Sequence, residues 1–151
     1  MAFSVRKLKM RATNVCDKAG ALSEALAPLS DAGLNMESVV GYVREKGGEC
    51  SIYCSLADTG KKAGAAADAA GVKVDANSPA LLIEGDDKPG IMQKIAQVAG
   101  DAGISMRVCV GLTMGKRFSI LLGFDDAGAA DAAAKKIRPL GAKKPAKKKG
   151  K

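Results

Sequence analysis

Shifting the 151-residue chain by 70 places lays Asp17-Lys18-Ala19-Gly20 on Asp87-Lys88-Pro89-Gly90. The same shift lays Asp31-Ala32-Gly33-Leu34-Asn35-Met36 on Asp101-Ala102-Gly103-Ile104-Ser105-Met106, and Val40-Gly41 on Val110-Gly111. With the offset reduced to 68, Ser51-Ile52 meets Ser119-Ile120, and Asp58-Thr59-Gly60 meets Asp126-Ala127-Gly128. The two-residue difference falls in Arg44–Glu49 against Met114–Arg117, where a hairpin turn absorbs it. A chain that repeats itself in this way builds one fold twice, and every local assignment has to suit both copies.

In the first copy, Val5–Thr13 reads as a half-buried strand with Leu8, Met10 and Ala12 on one face. Gly20 opens a helical run in which Leu22, Ala25, Leu26 and Leu29 fall at i, i+3, i+4 and i+7, and Gly33 ends it. Pro28 lies inside this run, where a missing N–H predicts a kink or a weakened second half. Leu34–Val43 and Glu49–Leu56 are β-rich and flank the turn signal Glu45-Lys46-Gly47-Gly48. Thr59 is a plausible cap for an alanine-rich helix to Ala70, and Val72-Lys73-Val74 follows as a short strand.

The second copy gives strand Ala80–Glu84, helix Gly90–Ala102, strands Ile104–Thr113 and Arg117–Phe124, and helix Ala127–Ile137. Its first helix carries Ile91, Ile95, Val98 and Ala102 on one face. Ile137-Arg138-Pro139-Leu140-Gly141 leaves little room for a closing strand, so that strand is expected to be short or missing. The fold class is α+β: two tandem ferredoxin-like βαββαβ units, antiparallel sheets with helices on one face. The expected boundaries are 1–75 and 79–140, with Asp75-Ala76-Asn77-Ser78-Pro79 as the linker and 141–151 as a disordered Lys-rich tail.

Composition narrows the chemistry. The formal charge is +8, but six lysines and no acid lie in Lys143–Lys151, leaving +2 for residues 1–142. A nearly neutral body argues against a nucleic-acid face spread over the fold. The tail itself could neutralise phosphates as a nucleic-acid or acidic-partner adaptor, although no aromatic residue interleaves its lysines to stack on bases. The chain has no histidine, which removes imidazole bases, Ser-His and Cys-His pairs and His-ligated metals. Asp86-Asp87, Asp125-Asp126 and Lys61-Lys62 lack the spacing of an acid–base pair or a phosphate loop, so an enzyme is not expected. None of Cys16, Cys50, Cys54 and Cys109 forms a Cys-x-x-Cys pair. Cys50 and Cys54 are spaced for one face of a strand and read as small buried apolar groups. With no h-region at the start and no run of about 18 apolar residues, the expectation is a cytoplasmic protein with reduced thiols and no membrane span.

The Asp-Lys-(Ala/Pro)-Gly segment is the chemically informative part of the repeat. A turn entering a helix presents backbone N–H groups and the positive end of the dipole, which suit a carboxylate, while the aspartate can receive an ammonium. Together they would hold an α-amino acid by both charged ends. In the bland alternative, Asp17 and Asp87 satisfy turn N–H groups, and Gly20 and Gly90 only relieve crowding.

On Asp87-Lys88-Pro89-Gly90-Ile91 followed by Ala102-Gly103-Ile104-Ser105-Met106, and more loosely on Asp17-Lys18-Ala19-Gly20-Ala21 followed by Ala32-Gly33-Leu34-Asn35-Met36, the chain resembles the ACT domain. The resemblance runs from about Val5 to Ile137, and is to proteins made of two such domains in tandem. It implies a non-catalytic, allosteric regulatory protein binding an amino acid where ACT domains meet, without a cofactor or metal. It implies ligand contacts from Asp17, Ala19, Gly20 and Asn35 in the first copy, and from Asp87, Pro89, Gly90 and Ser105 in the second. Ala19 stands where the family usually has proline, and Ser105 where asparagine is common, so two equivalent sites are not expected. It further implies a regulated enzyme or other protein as partner, and self-association through sheet edges or helices, as in a homodimer.

Overall fold

The computed structural model describes residues 2–44 and 48–142. Residues 143–151 of the expected Lys-rich tail and 45–47 of the Glu45-Lys46-Gly47-Gly48 turn lie outside them, while Gly141, expected to open that tail, ends the last helix. The chain divides into two compact units, one of Lys9–Ala76 and one that joins the residues up to Leu8 to those from Asn77 onward.

That division follows from the opening strand run, which breaks in two. Strand β1 (Phe3–Leu8) and strand β2 (Arg11–Cys16) enter different sheets. In the Lys9–Ala76 unit, β2 is followed by α1 (Ala21–Asp31), β3 (Met36–Val43), β4 (Glu49–Leu56), α2 (Lys61–Ala69) and β5 (Lys73–Val74). The sheet order is β3-β4-β2-β5, all antiparallel. In the other unit, β6 (Ala80–Asp86), α3 (Ile91–Asp101), β7 (Val108–Met114), β8 (Arg117–Gly123) and α4 (Ala127–Gly141) repeat the order, with sheet β1-β6-β8-β7.

The closing strand missing from the second copy is therefore β1. It pairs with β6 from Phe3↔Gly85 to Leu8↔Ala80, in the place that β5 holds beside β2. The expected 1–75 unit loses its first eight residues for a physical reason. Helix α4 runs on through Pro139 to Gly141, so residues 137–141 supply no strand and the outer edge of β6 needs another partner. Phe3 and Val5 pack on the core of that unit, and Phe3 meets Phe118 edge-on at 6.0 Å. Gly85 and Gly141 make room: a Cβ at 141 would lie 2.6 Å from the Phe3 ring and carbonyl oxygen. Lys7, on the same face, forms an ion pair with Asp131 of α4 and holds that carboxyl below the usual carboxylate range.

The expected helix stripes hold except at one end of each: Leu26 and Val98 also pack on their cores, while Leu22 and Ala102 do not lie on the buried face. In α1 the buried residues are Ala21, Ala25 and Leu29, while Leu22 is 50% exposed. In α3 they are Ile91, Ile95 and Ala99, and Ala102 lies exposed beyond the helix. Helix α1 continues through Pro28 to Asp31, anchored on either side of the proline by Ala25 and the fully buried Leu29. The cap of α2 is Gly60 rather than Thr59, with the Gly60 N–H donating to Asp58.

The alanine-rich helices pack Ala63 and Ala67 in one unit, and Ala130, Ala133 and Ala134 in the other, against their sheets. In the smaller core, Arg11 replaces a hydrophobic residue. It is 4% exposed and donates to Asp68 at 2.6 Å and to the Val72 carbonyl at 2.9 Å, passing Gly64 of α2. Cys54 is buried beside it, where burial raises its thiol pKa against the opposing pull of the guanidinium.

Candidate functional site

Both repeated corners form the same turn. Lys18-Ala19-Gly20-Ala21 closes with the Ala21 N–H donating to the Lys18 carbonyl at 3.2 Å, and Ile91 donates to Lys88 at the same distance. Gly20 (φ 87, ψ −11) and Gly90 (φ 85, ψ 1) occupy the third position of a type II turn, where the left-handed backbone favours glycine. Pro89 stands at the second position, which proline suits, and Ala19 takes the equivalent place. Neither Gly20 nor Gly90 has another atom within 4 Å of a would-be Cβ, so it is the backbone conformation, not crowding, that calls for glycine.

The aspartates tie each corner to its neighbouring hairpin. The Asp17 N–H donates to the Gly48 carbonyl at 2.7 Å, and the Asp87 N–H to Lys116 at 2.8 Å. The Asp17 carboxylate also accepts from the Cys50 thiol at 3.5 Å. Partial burial, then this hydrogen bond, raises the Cys50 pKa and keeps the thiol protonated as a donor.

Beside the first corner lies a groove of about 280 Å³, contained wholly within the Lys9–Ala76 unit. Lys18, Gly20, Ala21 and Leu22 form one wall; Gly41, Tyr42 and Val43 of β3, with Cys50 and Ile52 of β4, form the other. Gly41 sits opposite Ile52 in the β3–β4 register, and its missing side chain keeps the groove open. Tyr42 borders the groove through its backbone, since its ring stacks on Tyr53 at 5.8 Å on the other face of the sheet. Lys18 is the one charged residue among these walls, and its ammonium meets Glu24 at 3.0 Å.

Of the residues singled out in the sequence, Gly20 lines this groove, Ala19 lies in the turn at its edge, and Asp17 touches it through Cys50. Asn35 precedes β3 and lies exposed at the opposite end of that strand, six residues or roughly 20 Å from Gly41. Asp87, Pro89 and Gly90 form the matching corner in the other unit, and exposed Ser105 lies likewise at the far end of its hairpin. The structure therefore does not bring Asn35 to the Asp17 corner, or Ser105 to the Asp87 corner, within a unit. Leu22, Gly41, Tyr42, Val43, Cys50 and Ile52 were not anticipated. The available signal was the repeated Val40-Gly41 and Val110-Gly111, since a glycine kept in both copies of a strand marks a place where something approaches closely.

The structure is thus two ferredoxin-like units in tandem, each turning from strand to helix through a Lys-x-Gly corner. No family model and no curated protein sequence matches the chain. Solved structures do match it in fold. The ligand-free regulatory subunit of aspartate kinase from Thermus thermophilus is 15% identical, covering 92% of this chain and 96% of its own, with a TM-score of 0.59. Protein BT0572 from Bacteroides thetaiotaomicron is 14% identical over 89% of this chain and 96% of its own, with a TM-score of 0.64. The allosteric aspartate kinase of Clostridium acetobutylicum is 14% identical, and 34% of its chain covers 93% of this one, with a TM-score of 0.57. The fold is thus one that regulatory subunits also use. No described helix is long and apolar enough to cross a membrane.

Proposed function

We propose that the chain is a non-catalytic sensor that binds a free α-amino acid at the Asp17–Gly20 corner and regulates a partner protein or enzyme. The observation that carries this reading is the open groove over Gly41, which runs to the start of α1. First-turn N–H groups and the helix dipole would take the carboxylate, and Asp17 the ammonium. The groove is small beside the ~300–1,000 Å³ typical of small-molecule sites, which suits a single amino acid better than a nucleotide. Regulation would follow from unequal ligand affinity for two states of the protein or its complexes. Edge strands β3 and β7, with exposed Val39, Tyr42, Val43, Val110, Leu112 and Met114, support self-association or partner docking.

Calorimetric titration of the full chain with each of the twenty amino acids tests the proposal. At least one is expected to bind. Gly41→Val should abolish that binding while leaving the circular dichroism spectrum unchanged, because Gly41 has an ordinary strand backbone and a Cβ there meets only Ile52 at 3.9 Å. Asp17→Ala should weaken binding about tenfold, and Asp87→Ala should not. Heat from none of the twenty, or equal heat from Gly41→Val, would overturn the proposal.

A further inference from the structure

The two corners share a turn but differ in what lies beside them. In the unit containing β6–β8, Met92 reaches over Gly111 so closely that a Cβ there would lie 2.5 Å from the Met92 Cε. Its sulfur is 4.0 Å from the Cys109 thiol, and the side chain packs on the core that includes Phe118 and Ile120. The repeat places Leu22 where Met92 stands, and Gly41 where Gly111 stands. Gly111 faces Ile120 as Gly41 faces Ile52. Yet Leu22 is half exposed and leaves the space over Gly41 empty, so the first groove stays open where the second is filled from within.

Building on the amino-acid reading above, we infer that the ligand has an apolar side chain, unbranched at Cβ and of about leucine or methionine size. That side chain lies over Gly41, in the place Met92 holds over Gly111. Met92 shows what the shared architecture accepts: a narrow, flexible chain passing over a strand glycine onto an isoleucine. The first groove offers Leu22, Val43 and Ile52 to such a chain, and its lysine is already engaged with Glu24. A carboxylate or ammonium in that position would lose water without gaining a partner. The same comparison assigns one site per chain, because the second groove is occupied by the protein itself.

Calorimetry on the full chain, with methionine, leucine and norleucine set against glycine, threonine, lysine and aspartate, tests the inference. The first three should bind at one per chain, at least tenfold more tightly than the others, as burial of an apolar side chain predicts. Leu22→Met should copy the internal plug and abolish binding with the fold intact. Met92→Ala should open the second groove and raise the stoichiometry from one towards two. Tightest binding of a polar amino acid, unchanged affinity in Leu22→Met, or a stoichiometry fixed at one in folded Met92→Ala would each overturn the inference. The first of these leaves the amino-acid reading standing; silence from all twenty amino acids defeats both.

Discussion

Replacing Phe3 and Val5 together by alanine should unpin β1 from a unit whose other residues begin nearly seventy positions later. Full burial of a phenylalanine makes its truncation cost about 3–5 kcal/mol, and half-buried Phe3 should lose roughly half of that. Its edge-on contact with Phe118 is included in that loss. Val5, also half-buried, should add about 1 kcal/mol. The sum of about 3 kcal/mol corresponds to a change of roughly 100-fold in the opening equilibrium. Hydrogen exchange followed by mass spectrometry reads this segment by segment. Amides of Ala80–Asp86, which pair with β1, should exchange about 100-fold faster in the variant, while Glu49–Leu56 keeps its protection. Unchanged protection of Ala80–Asp86, or a loss confined to the Lys9–Ala76 unit, would refute the assignment of β1 as the closing strand.

Gly90→Ala should lower stability by about 1–2 kcal/mol through left-handed backbone strain alone, since its Cβ meets nothing, and a urea midpoint measures it. Asp68→Ala takes the carboxylate from the buried Arg11 guanidinium and should cost about 3 kcal/mol, more than Arg11→Met, which removes the buried charge and leaves half-exposed Asp68 and the Val72 carbonyl without this donor; a Met variant that is the less stable would refute this. Exposed Cys16 and Cys109 should react first with a thiol reagent, and buried Cys54 only on unfolding. Because burial raises the Cys54 and Cys50 pKa values above the ordinary 9.0, the folded form holds their protons longer than the unfolded chain does. Stability is then fully present below about pH 9 and falls as pH rises through the folded values, an effect Cys54→Ala should reduce in denaturation measured from pH 8 to 11.

Most of the secondary structure was legible because its signals are local. Gly20, Gly33, Gly90 and Gly103 all adopt positive φ, so they bound the first helix of each copy wherever the chain places it. The strands around each hairpin announced themselves by β-rich composition. The helix faces were legible except at their ends, because periodicity cannot say which of two adjacent apolar residues, Ala21 or Leu22, meets the sheet. That single step matters: Leu22 belongs to the rim of the groove and not to the core.

By itself, the sequence determined that one fold is built twice, that each copy turns from strand to helix through a left-handed glycine, and that imidazole chemistry is absent. These follow from residue identity and spacing, which act within a few bonds or repeat along the chain. Only the tertiary structure decided that Phe3–Leu8 closes the sheet of the second copy, because strand pairing is settled by which open edge and which apolar face are available, not by distance along the chain. It also decided that the two corners are unequal. A methionine and a leucine are interchangeable in any hydrophobic pattern, but the longer one reaches across Gly111 and the shorter leaves Gly41 uncovered.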